Sequence, residues 1–164
     1  MTAGKDSPAV APWRPSTTSL LMCAPDHYEV AFAINPHMTD AEGRLHAVDR
    51  ELARRQWDDL RKEFESIGYA VDVLPGEPGF PDMTFAANQT FCFRRTDGTR
   101  VALISRMAHP ERAGEPPYFA RRFAERGYEI VESPPGLGPL EGAGDLVWHP
   151  TRRTLYCGYG FRST

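Results

Sequence analysis

Apolar residues in this chain fall into two regimes: short runs bounded by turn residues, and longer stretches in which they recur every three or four positions. Leu20-Leu21-Met22-Cys23 predicts a buried strand, and Glu29 to Ile34, alternating before Asn35-Pro36, predicts a second. Leu45, Val48, Leu52, Leu60, Phe64 and Ile67 then step mostly by three or four among charged residues. That spacing predicts an amphipathic helix of about six turns, stopped at Gly68. Strands are expected at Tyr69 to Leu74, Thr90 to Phe93 and Arg100 to Ser105, the last two joined by Thr96-Asp97-Gly98. A second helix, roughly Tyr118 to Arg126, ends at Gly127. Three strands follow it, at Tyr128 to Glu132, Leu146 to Trp148 and Leu155 to Cys157, the last pair around His149-Pro150-Thr151. Residues 1–18, rich in Pro, Ala, Ser and Thr without an apolar period, are expected to form a flexible tail ahead of one domain at 19–164.

The pattern repeats. Phe64-Glu65-Ser66-Ile67-Gly68-Tyr69-Ala70-Val71 returns 59 residues later as Phe123-Ala124-Glu125-Arg126-Gly127-Tyr128-Glu129-Ile130. The same offset carries Asp82 onto Glu141, so two carboxylates hold one position in two copies of a unit. A unit this small cannot bury both faces of its own sheet. Successive copies should therefore pack around a shared axis with equivalent loops at one end, where they make a pocket.

Composition narrows the possibilities. A net charge of −3, with 19 basic residues scattered along 164, leaves no electrostatic footprint for nucleic acid or anionic lipid. The longest apolar runs fall far short of a membrane span, and no secretory signal is evident, so a cytoplasmic protein is expected. Cys23, Cys92 and Cys157 are odd in number and embedded in apolar sequence, as reduced core thiols are. His109 and His149, each before a proline, read as exposed loop histidines, and no cluster has metal-ligand spacing. Neither a metal nor another cofactor is expected.

Several motifs add a resemblance. Met22-Cys23-Ala24-Pro25-Asp26-His27-Tyr28-Glu29-Val30 with Ile34-Asn35-Pro36, Pro81-Asp82-Met83-Thr84-Phe85-Ala86-Ala87-Asn88, His109-Pro110-Glu111-Arg112, Leu140-Glu141-Gly142-Ala143-Gly144-Asp145 and Gly158-Tyr159-Gly160-Phe161-Arg162-Ser163 resemble the guanidine-modifying (pentein) superfamily. Within it they are most similar to the dimethylargininase-like and arginine dihydrolase branch. The resemblance implies an α/β propeller of ββαβ units, of which this chain holds about half of five. It also implies chemistry by a Cys thiolate that attacks the guanidinium carbon, a His that moves protons, and acids that hold the guanidinium.

Carried over by position, Glu141 resembles the catalytic acid that pairs with the guanidinium and orients the His. Asp82 resembles a second pocket carboxylate. Asn88 falls where relatives with Phe-x-x-Asp have a guanidinium-binding carboxylate, and it keeps an acceptor oxygen without the charge. By the same resemblance Arg106 and Arg162 clamp the substrate's α-carboxylate, and Asn35 contacts its amino-acid moiety. Glu141-Gly142-Ala143-Gly144-Asp145 is one residue longer than the common Glu-x-Gly-Asp form, so either Glu141 or Asp145 is the acid that faces the pocket. The family's His and Cys are expected beyond Thr164. The reading is thus the N-terminal half of a hydrolase of arginine or methylated arginine, inactive alone, and associated as a homo-oligomer or with a complementary chain. A non-catalytic module that binds an arginine-like ligand or a partner, or an amidinotransferase, are the alternatives.

Overall fold

The computed structural model describes residues 18–149, 151–160 and 163. Residues 1–17 of the expected tail and Arg162 lie outside them. Among the described residues, seven strands form three small sheets: β1 (Ser19–Cys23) with β2 (Ala70–Leu74), then β3 (Thr90–Arg94) with β4 (Arg100–Ile104) and β5 (Glu129–Glu132), then β6 (Leu146–Trp148) with β7 (Leu155–Cys157). None of these sheets closes on itself among the described residues. β1 and β2 are parallel, as are β4 and β5, whereas β3–β4 and β6–β7 are antiparallel hairpins. Parallel neighbours need a crossover, and helices α1 (Arg50–Ser66) and α2 (Pro116–Glu125) supply the two.

The sequence repeat is a structural one. After α1, Gly68 takes φ +94, its amide donates to Glu65 O at 3.0 Å and the Tyr69 amide to Phe64 O at 3.0 Å. After α2, Gly127 takes φ +74 and the corresponding bonds, to Ala124 O and Phe123 O, are 2.9 and 3.0 Å. Both are left-handed glycine stops that satisfy the last carbonyls of a helix. In each copy the first aromatic meets the tyrosine after the glycine edge-on, Phe64 with Tyr69 and Phe123 with Tyr128. Asp72 on β2 accepts from Arg122 Nη2 at 2.6 Å and from Arg126, which ties the second copy's helix to the first copy's strand. Between the copies a core of Cys23, Met83 and Phe119 is flanked by Leu21, Leu74, Phe80, Ala86 and Tyr118.

Two expectations are corrected. Residues 29–34 form no strand, although Val30, Phe32 and Ile34 are half-buried and Glu29, Ala31 and Ala33 exposed. The alternation is real, but among the described residues no strand pairs with it in a ladder. The first helix begins at Arg50 rather than near Leu45, because Asp49 caps it, accepting from the Leu52 amide at 2.8 Å. Leu45 instead bridges Thr39 across a tight turn.

Candidate active site

The connection from β2 to β3 folds as two 3-10 turns, Pro81–Thr84 and Ala86–Asn88; the one from β5 to β6 ends in α3 (Gly142–Asp145), a single helical turn. Prolines fix the approach to each, and Gly142 settles the second, with φ +52 and a position where a Cβ would stand 2.6 Å from Thr90 O. Only glycine lets the turn lie flat on β3. A bridge pairs Arg106 with Leu140, their amides donating reciprocally at 3.0 and 2.9 Å, and pins the two loops together.

Glu141 is the consequence. Its side chain is nearly inaccessible, at 2% exposure, with Oε1 accepting from the Ala108 amide and Oε2 from Asn88 Nδ2, both at 3.1 Å. Asn88 is held in turn by Ser105, whose hydroxyl donates to Asn88 O at 2.5 Å. Asp145 Oδ2 accepts from the Glu141 amide at 2.6 Å and braces the turn that aims Glu141. Glu141 and Asp145 both line an open cleft of about 460 Å³, together with Asn35, His109, Arg112 and Tyr159. Asn35 reaches the cleft from an exposed turn, which its Oδ1 caps by accepting from the His37 amide at 2.9 Å.

Asp82 sits behind this wall. At 2% exposure it lies beside Arg112, whose Nε is 3.8 Å from Asp82 Oδ2 and whose Nη2 donates to Asp82 O at 3.1 Å. The same Nη2 donates to Glu115 Oε2 at 2.8 Å, and Gln89 Nε2 donates to that oxygen at 2.5 Å. Burial pushes both the Asp82 and Glu115 carboxyls above their ordinary range, against the pull of Arg112 on each.

Arg106 is exposed and spends its guanidinium on the loop after β5, donating to Leu137 O and, at 3.3 Å, to Ser133 O; it is not among the cleft's lining residues. None of the three cysteines lines the cleft. Burial raises the Cys23 thiol to about 12. Cys92 is exposed as a residue, yet its sulfur lies 4.0 Å from Thr90 Oγ1 and burial raises its thiol to about 11. Cys157 is exposed on β7 rather than in a core. His149 is a turn residue, its Nδ1 accepting from the Thr151 and Arg152 amides at 3.1 Å. His109 is not an exposed loop residue: it is half-buried in the cleft wall. His109 and Arg112 share the motif His109-Pro110-Glu111-Arg112, and the Arg112-x-x-Glu115 spacing is the sequence sign of the buried pair. Among the described residues no three His, Cys, Asp or Glu side chains are grouped to hold a metal ion.

No family model matches the chain. It is 43% identical over 144 residues to the bifunctional arginine dihydrolase/ornithine cyclodeaminase ArgZ of a Synechocystis strain, covering 88% of this chain and 19% of that protein. It is 34% identical over 149 residues to the N(G),N(G)-dimethylarginine dimethylaminohydrolase of Mycobacterium tuberculosis, covering 91% of this chain and 45% of that one. Among solved structures, the substrate-bound N-terminal domain of ArgZ, an arginine dihydrolase from the ornithine-ammonia cycle in cyanobacteria, superposes with a TM-score of 0.76 at 41% identity. That match covers 88% of this chain and 49% of the domain. A dimethylarginine dimethylaminohydrolase shares the fold at 20% identity, with a TM-score of 0.72. The chain spans about half the length of the dimethylaminohydrolase and about a fifth of the bifunctional protein. With repeat, fold and relatives in agreement, this chain is a homologue of the arginine dihydrolase ArgZ and of the dimethylarginine dimethylaminohydrolase, and it shares the fold of their solved structures.

Proposed function

We propose that this chain is the guanidinium-binding half of an arginine-type hydrolase, built as part of an α/β propeller in the domain 19–164. The observation that carries the reading is the hydrogen bond from Asn88, just behind the cleft's lining, to Glu141, which lines it, since these residues come from equivalent loops of two repeats. A guanidinium carbon is a poor electrophile because its charge is delocalised, and a carboxylate on one edge localises that charge. Glu141 takes this role, and Asp145 braces it. Asn88, with its amide donating to Glu141, offers Oδ1 to a guanidinium N–H without adding a second charge. Asp82 holds the wall from behind, and Asn35 meets the amino-acid end. Arg106 and Arg162 are assigned to the α-carboxylate, Arg106 after release from its loop carbonyls.

Chemistry then proceeds through a thiolate that adds to the guanidinium carbon and expels ammonia or an amine, followed by water that cleaves the C–S bond. The thiolate and its proton-shuttling histidine come from outside these 164 residues, since Cys23 and Cys92 are held protonated and Cys157 is off the cleft. The neutral Asn88 favours arginine over dimethylarginine as the substrate. The absence of a cleft cysteine among the described residues also supports a second reading, in which the chain binds an arginine-like ligand or a partner without turnover.

Incubation of the chain with L-arginine, followed by assay of ornithine, citrulline and ammonia, tests the assignment. No product is expected. Turnover by the chain alone would place one of its own cysteines in the nucleophile role and contradict the account. Tighter binding of dimethylarginine than of arginine would reverse the substrate preference.

A further inference from the structure

Helix α1 carries an apolar arc wider than the sheet it packs against can cover. Ala53, Trp57 and Phe64 are half-buried where the helix meets β2, while Leu52, Leu60 and, at the C-terminal cap, Ile67 remain exposed beside them. At 3.6 residues per turn the three exposed residues fall within about a quarter of the helix circumference, so they form one stripe. Charge along α1 is sorted against the helix's own dipole. Arg50, Arg54 and Arg55 outnumber Glu51 at the N-terminal end, whereas Asp58, Asp59, Glu63 and Glu65 outnumber Arg61 and Lys62 in the remainder. Cations are stabilised at a helix C-terminus and anions at its N-terminus, so this order is unfavourable in a lone helix and is offset by a neighbour running the opposite way. Arg50 and Arg54 already pair with Glu29 and Asp26. Arg55 has only Glu51, at 3.8 Å and with that side chain 91% exposed, and the exposed Glu63 has no ion pair among the described residues.

We infer that this stripe is an interface between two copies of the chain, α1 against α1, antiparallel about a twofold axis at Leu60. The register follows from the stripe itself. Leu52 lies eight residues before Leu60 and Ile67 seven after it, so a reversed copy sets Leu52 against Ile67 of the partner subunit and Leu60 against Leu60 of the partner subunit. In the same register Arg55 comes beside Glu63 of the partner subunit, and the twofold axis makes that contact twice. Burial of the apolar stripe supplies the attraction. The sorted charges supply the direction, because a parallel pair would set basic end on basic end and acidic end on acidic end. None of these side chains lines the cleft, so the interface leaves the cleft open and stands apart from the guanidinium reading.

Sedimentation velocity of the whole chain tests this, beside variants at these exposed positions. The wild type is expected to sediment as a dimer. Leu60→Glu, which places two like charges on the axis, should sediment as a monomer with unchanged far-ultraviolet circular dichroism. Arg55→Glu should weaken the dimer about tenfold, and combining it with Glu63→Arg should restore wild-type association, since the pair is then rebuilt with its charges exchanged. A monomeric wild type, or association that Leu60→Glu leaves intact, would overturn the interface. Failure of the exchanged pair to recover what Arg55→Glu loses would overturn its antiparallel register.

Discussion

Arg112 carries two buried carboxylates, Asp82 and Glu115, and its own side chain is 5% exposed. Replacing it with methionine would strand both acids in the core, at a cost of about 3–5 kcal/mol. Urea denaturation should show the midpoint collapse. The pH dependence has a definite sign. Both carboxyls are raised by burial above ordinary values near 3.8 and 4.5, so their stabilising contribution is complete below those values and is lost as pH rises through the higher folded-state values. Asp82→Asn should therefore make stability fall less between pH 4.5 and 7, as read from urea midpoints at the two ends; a steeper fall would contradict this. Glu141→Gln removes the charge facing the ligand and should weaken arginine binding by about 10- to 100-fold, measured calorimetrically. At this scale the sequence was partly legible. Repeat position singled out Asp82 and Glu141, but the ion pair that draws Asp82 behind the wall depends on Arg112, 30 residues away, and no spacing rule reveals it. Arg106 posed the same difficulty, since its carbonyl partners lie on the loop after β5.

Helices and turns were legible wherever a local rule decides them. Gly68 and Gly127 end their helices in the same conformation, as the eight-residue repeat implied. Alanine at either should cost about 1–2 kcal/mol through the left-handed backbone alone. Gly142 is a stronger case, because a Cβ there would meet the Thr90 backbone rather than empty space. Gly142→Ala should lower stability more than Gly68→Ala and also impair arginine binding, since the turn that presents Glu141 must lift off β3. Equal stability losses with unimpaired binding would argue against that role for the turn. Residues 29–34 escaped sequence reasoning for a non-local reason: alternation predicts a sided, extended chain but cannot provide a neighbouring strand.

Across the whole molecule, the three sheets are unequal. The middle one has a hairpin plus a parallel strand; among the described residues, the first has only its parallel pair and the last only its hairpin. α1 fully buries none of its side chains, leaving Leu52 42% and Leu60 51% exposed, Ile67 just after it is 68% exposed, and the last sheet exposes Val147 and Tyr156 by more than half. Unpaired edges and apolar faces of this kind favour association, so light scattering should find the chain larger than a monomer at high concentration. A clean monomer would contradict that expectation. The central claim concerns charge, and a pair of ligands of nearly equal shape tests it most directly. Calorimetric titration with L-arginine and with L-citrulline, which replaces the guanidinium by a neutral urea group, should give binding of the first and none of the second. Equal affinity for both, or none for either, would contradict the account.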